Sequence, residues 1–219
     1  MSYSHLIEYC TLLSPIILIA GVSIGVYYFK KLDIIRKILV LYLFTMLSID
    51  ILSRVAAAIY NNNLVLIPIL GFLELFIFSA LYYALAGKEE RIKKNSLLII
   101  NFATLIFTIW EITKVFNAPV EQFQSYSKAI ATLIIVLFSI TFFLEKIRLR
   151  KDISPALFSL NSGILLFYSL ELIIFLPIDF LIHDNSGLKF YFWLANLIFI
   201  LLFYLFLISS IWKNGKTQE

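Results

Sequence analysis

The stretch Phe190–Trp212, FYFWLANLIFILLFYLFLISSIW, decides the fold. It holds no charged side chain. As an α-helix it is about 34 Å long, enough to cross the roughly 30 Å hydrocarbon core of a bilayer. Six further segments approach or meet that length: Leu6–Phe29, Ile38–Tyr60, Leu64–Leu85, Ser96–Phe116, Ala129–Phe143 and Pro155–Ile182. The fifth is the shortest and reaches full length by extending through Leu144 or further. The sixth is long enough to tilt, or to break near Pro177.

Composition points the same way. Of 219 residues, 61% are hydrophobic and 15% charged, against about 45–50% and about 25% in an ordinary soluble domain. A soluble fold of this length has no room to hide so much apolar surface. A water-soluble enzyme, a nucleic-acid-binding domain and a disordered regulator are excluded. The expected class is an all-α polytopic integral membrane protein: one seven-helix transmembrane domain over residues 1–219, with no soluble domain. The single cysteine, Cys10, allows no intramolecular disulfide, and the two histidines, His5 and His183, are too few for a multi-histidine metal centre. No cofactor, metal or nucleic-acid partner is expected.

Charge sets the orientation. Lys30, Lys31, Arg36 and Lys37 follow the first segment, Lys88, Arg91, Lys93 and Lys94 the third, Lys146, Arg148, Arg150 and Lys151 the fifth, and Lys213 and Lys216 the seventh. With seven crossings all of them fall on one side. The other side holds the Met1–His5 tail, Asn61–Asn63, the Asn117–Lys128 stretch and the His183–Lys189 loop, which are poor in basic residues. The positive-inside rule then places the N-terminus out and the C-terminus in, in a bacterial-type cytoplasmic (inner) membrane.

The exceptions to apolarity carry the functional signal. An ionisable side chain at the centre of a spanning helix costs about 2.5–3.5 kcal/mol, so it must face another polar group, water or a ligand. Asp50, Arg54, Glu74, Glu111 and Glu171 lie inside the segments, and Asp179 near the end of one. With alternating helix directions, five helices place polar groups in the outer half. Asn101, Thr104, Thr108 and Glu111 follow spacings of three, four and three and form one helical stripe. Asn161, Tyr168 and Glu171 make another, and Asn196 lies in the outer third of the last helix. Pro68, Gly71 and Glu74 share a face where the proline frees a carbonyl and the glycine admits close approach. Asp50 and Arg54, four apart, are placed to form a structural ion pair. The expected ligand-binding set is therefore Glu74, Glu111, Glu171, Asn101, Thr108, Asn161, Tyr168 and Asn196, lining an outer-half polar cavity. No catalytic residue is identified. The alternative is that these groups only fix packing, with Asp50 on Arg54, Glu111 on Lys114 and the other acids on Tyr or Ser. Gly21 and Gly25 form a GxxxG face, suited to intramolecular packing or to dimerisation.

Several seven-helix families do not fit. A retinal protein needs a lysine within its last helix, whereas Lys189 and Lys213 only flank it. Ceramidase-like hydrolases need three intramembrane histidines. Sugar transporters of the PQ-loop type share the topology, but there is no Pro-Gln dipeptide here. The Asp50 helix, the Asn-rich turn, Pro68-x-x-Gly71-x-x-Glu74, Leu165-Leu-Phe-Tyr168 and Phe192-Trp193…Asn196 resemble small, uncharacterised bacterial seven-helix proteins. That resemblance implies a sensor module or accessory subunit and brings no reaction with it.

The leading expectation is a non-enzymatic sensory or accessory protein that binds a small or lipid-like ligand. It would act through a cytoplasmic or membrane signalling partner, with the lipid bilayer as its surroundings. A proton- or cation-coupled transporter using Glu74 and Glu171 is the alternative. An intramembrane lipid-modifying enzyme using two acids ranks third.

Overall fold

Runs of Leu, Ile, Phe and Val form long helices once their backbone groups must be satisfied internally, the first continuing through Pro15. The computed structural model describes residues 3–60, 62–86, 91–115, 125–149, 152–175 and 188–217. Among these it contains seven α-helices and no strand: α1 (Tyr3–Tyr28), α2 (Ile34–Tyr60), α3 (Leu66–Leu85), α4 (Arg91–Val115), α5 (Tyr126–Arg148), α6 (Pro155–Phe175) and α7 (Leu188–Thr217). All seven are long and apolar enough to cross a membrane. The end of the sixth segment, with Pro177 and Asp179, and His183 after it lie outside the described residues.

The helices run past the apolar windows into charged sequence. α2 begins four residues before Ile38 and takes in Arg36 and Lys37, and α7 continues through Lys213 and Lys216. Asp33 caps α2, its Oδ1 accepting the Arg36 N–H at 2.8 Å and its Oδ2 the Arg36 guanidinium at 2.9 Å. The departure from the sequence reading that bears on the polar interior is at the start of α5. The helix starts at Tyr126, three residues before Ala129, because Ser125 is an N-cap whose hydroxyl accepts from the Lys128 N–H. Lys128, expected in a loop, is therefore in the first turn of a helix.

The chain divides into two compact units, Met1–Leu52 with Phe180–Glu219, and Ser53–Asp179. In the first, α1 packs on α7. A Cβ on Gly21 would stand 2.7 Å from the Ile208 side chain, and one on Gly25 would stand 2.6 Å from that of Val40. Both glycines of the GxxxG face are thus consumed by contacts within the chain. Tyr42 packs edge-on against Phe203, and Asp33 exchanges hydrogen bonds with Asn214 at 3.3 and 3.4 Å.

In the second unit α3 packs on α4 and α5, and α5 on α6. A Cβ on Gly71 would stand 2.8 Å from the Lys128 Cα, so the absent side chain lets α3 approach the backbone of α5 at that residue. Further along α5, Ser139 and Asn161 of α6 bond reciprocally: Ser139 Oγ donates to Asn161 Oδ1 at 3.0 Å, and Asn161 Nδ2 to the Ser139 carbonyl at 3.0 Å. The Tyr82 hydroxyl of α3 completes this clamp, donating to Asn161 Oδ1 at 2.6 Å.

Polarity is inverted relative to a water-soluble fold. On α4, Thr104, Thr108 and Glu111 are buried while Leu98, Ile99, Phe102, Ile106 and Ile109 are exposed. A soluble helix turns these faces the other way.

Replacing Gly21 or Gly25 by Val overpacks the α1 contacts. Each variant is expected to lose about 1–3 kcal/mol of stability, read as a lower unfolding midpoint in mild detergent. Its size on gel filtration should stay that of the wild type, whereas a dimerisation face would show a change in size.

Candidate functional site

A lysine in the first turn of a helix normally reaches for solvent along its flexible stem. Lys128 does the reverse. It is 1% exposed, held against α3 by the contact with Gly71, and its ammonium lies between two carboxylates. One is Glu74 of α3, bonded to Lys128 Nζ through Oε2. The other is Glu171 of α6, whose Oε1 is 2.9 Å from Nζ. Thr132, one turn along α5, donates from Oγ1 to Glu171 Oε2 at 3.4 Å. Glu74 and Glu171 are buried like the lysine. An ammonium has three protons to donate, and here its charge is shared by two acids from different helices.

A third acid joins the same turn of α5. Glu111 of α4 is 4% exposed, and its Oε2 accepts the Ser127 N–H at 2.7 Å. A carboxylate against the amino end of a helix takes up one of its orphan N–H groups and complements the dipole. Lys114, the partner expected from spacing, instead lies over the Trp110 ring at 3.9 Å. Residues from α3, α4, α5 and α6 therefore converge on Ser127–Lys128, with three carboxylates and one ammonium.

The other sequence-derived residues differ in their surroundings. Asn161 belongs to the Tyr82–Ser139 clamp, ten residues before Glu171 and so about 15 Å along α6. Tyr168 is buried with its ring edge-on to Phe78 at 5.1 Å, one turn from Glu171. Thr108 is buried one turn before Glu111. Asn101 is half-buried and donates from Nδ2 to the Leu97 carbonyl at 2.8 Å. Asn196 is half-buried on α7, in the other compact unit. Asp50 is half-buried and Arg54 exposed, one turn apart on the continuous α2. A cavity of about 220 Å³ opens at the opposite end of α5 from Lys128, with Tyr82, Ser96, Phe142, Glu145 and Lys146 in its wall.

Lys128 was the residue missing from the sequence-derived set. Two signals pointed to it. Ser125 is a good N-cap that moves the helix start ahead of Lys128. From that start Lys128, Thr132 and Ser139 fall on one face, by spacings of four and seven.

Fold and site together define a class: among the described residues, an all-helical protein with seven potential membrane spans and a buried junction of four helices that joins three acids and one lysine. No protein-family model, curated protein or solved structure matches the chain.

Removing the cation takes the lysine counter-charge from two buried carboxylates. Lys128→Met is expected to cost about 3–5 kcal/mol, measured by denaturant unfolding in micelles. Converting Lys128, Glu74 and Glu171 together to Met should recover most of that loss, because no buried charge of the trio then lacks a counter-charge.

Proposed function

We propose that this chain is a sensory or accessory membrane protein that responds to a small polar or lipid-like ligand through the Lys128 cluster and acts on a cytoplasmic or membrane partner. It lies in a bacterial-type cytoplasmic membrane with the N-terminus out and the C-terminus in, and belongs with small bacterial seven-helix proteins of that kind. Two features support membrane placement: the exposed apolar face of α4, and the fall of basic residues after the first, third, fifth and seventh segments.

One observation carries the functional reading: a single ammonium serves two buried carboxylates that belong to different helices. Such a junction is sensitive to charge. A ligand that supplies positive charge, or competes for the ammonium, changes how strongly α3 and α6 are held to α5. Its effect on the helix arrangement equals its differential affinity for the two arrangements. The short connections leave the partner to receive that change at the helix ends.

A photo-crosslinking residue in place of Lys146, in the native membrane, tests this. The wild type should form one discrete adduct. Glu171→Gln, which keeps the lysine but alters the charge balance, should change the adduct yield about fivefold or more. Substrate uptake into proteoliposomes that is lost in the same variant, with no adduct in cells, would replace the sensor by a transporter.

A further inference from the structure

We propose that Glu111, Thr108 and Ser127 bind a monovalent alkali cation between α4 and α5. The proposal deepens the ligand-responsive reading by giving it an inorganic effector, and it rests on different atoms from the Lys128 cluster. Three buried oxygens carry it. Glu111 Oε1, Thr108 Oγ1 and Ser127 Oγ each lack a hydrogen-bond partner among the described residues. All three residues are at least nine-tenths buried, at 4%, 3% and 0% exposure.

Glu111 and Ser127 meet directly, and Thr108 neighbours Glu111 on α4. Glu111 Oε2 is 2.7 Å from the Ser127 nitrogen. The second oxygen of that carboxylate and the hydroxyl of that serine are each fixed by covalent geometry close to this contact. Thr108 is three residues before Glu111 and so on the same face of α4, one turn away.

The Thr108 hydroxyl behaves unlike its neighbours. A threonine in a helix ordinarily donates to a carbonyl three or four residues back. Thr104 does so to Ile100 at 2.8 Å, Thr113 to Trp110 at 2.7 Å and Thr141 to Leu137 at 2.7 Å. Thr108 does not, which leaves its oxygen lone pairs and proton for another partner; Ser127, in the first turn of α5, has no preceding turn of its own helix to donate to. A buried carboxylate with one oxygen unmatched is costly in hydrocarbon.

The donor set selects the ligand. One carboxylate and two hydroxyls are hard oxygen donors of total charge −1, matched by a cation of charge +1. Calcium carries twice that charge and favours sites with several carboxylates, where this one offers a single carboxylate; water would complete the shell of a monovalent ion. No group of three or more His, Cys, Asp or Glu side chains that could hold a metal ion occurs among the described residues. The ammonium of Lys128, the residue after Ser127, pairs with Glu74 and Glu171.

The test uses the full chain in detergent, with NaCl, KCl or LiCl against choline chloride at equal ionic strength. Unfolding midpoints and retention of radioactive sodium are measured together. A saturable rise in midpoint with one alkali ion, and retained sodium displaced by that ion, is expected for the wild type. Thr108→Val, nearly isosteric, and Glu111→Gln should both lose the response. Thr104→Val should keep it, because that hydroxyl is already bonded within its helix. A midpoint indifferent to the cation, or a response that survives both Thr108→Val and Glu111→Gln, overturns the proposal and leaves the three oxygens to water. A response only to calcium overturns it too. Crosslinking to a partner is a separate readout, so failure of the cation site and failure of the sensor reading are told apart.

Discussion

The second compact unit depends on one interaction, the burial of the Lys128 ammonium between Glu74 and Glu171. Taking these groups out of water costs several kcal/mol per ion, repaid only by close pairing and by hydrogen bonds to the remaining lone pairs. That requirement propagates outward. α5 must start early enough to bring Lys128 into a helix, which Ser125 ensures by capping it. α3 must come close enough for Glu74 to reach, which Gly71 allows by presenting no Cβ to the Lys128 backbone. α6 must present Glu171 at the same level, where Thr132 also bonds it.

α5 also shows why this junction, and not polarity in general, is the place to seek function. Its buried stripe contains two polar stations about 16 Å apart along the helix. At the Ser139 station every partner is neutral, and the Tyr82–Ser139–Asn161 clamp binds three helices with matched donors and acceptors. Such a satisfied neutral network fixes packing and offers a ligand nothing to change. At the Lys128 station three acids meet one cation, and the Glu111 Oε1 oxygen still lacks a protein partner among the described residues. The first station joins three helices through neutral groups; the second brings acids from three helices to one lysine-bearing turn.

The seven helices were legible because uninterrupted apolar length is a local property of sequence, and so were the buried stripes on α4 and α6. Gly71 was legible as a point of close approach, though not what approached it. Lys128 was hidden because a lysine beside a polar stretch looks like the end of a loop, and hydropathy windows begin only at Ala129. Its burial is decided by residues 54 positions earlier and 43 later in the chain, and no local window contains them. Asn161 and Glu171 share a stripe in sequence yet join different clusters, because a face fixes direction around a helix and not depth along it. The Glu111–Lys114 spacing likewise left open that a helix N-terminus would take the carboxylate and an indole the ammonium.

The most direct test of the buried ammonium is lysine reactivity in a bilayer. The protein, reconstituted in nanodiscs, is treated with a membrane-permeant amine-reactive ester and mapped by mass spectrometry. Lys114 and Lys213, both exposed, should be modified readily. Lys128 should stay unmodified in the wild type and become reactive when Glu74 and Glu171 are both replaced by Gln. Modification of Lys128 in the wild type at the rate of Lys114 would contradict the account, since an ammonium held between two buried carboxylates is not open to the reagent.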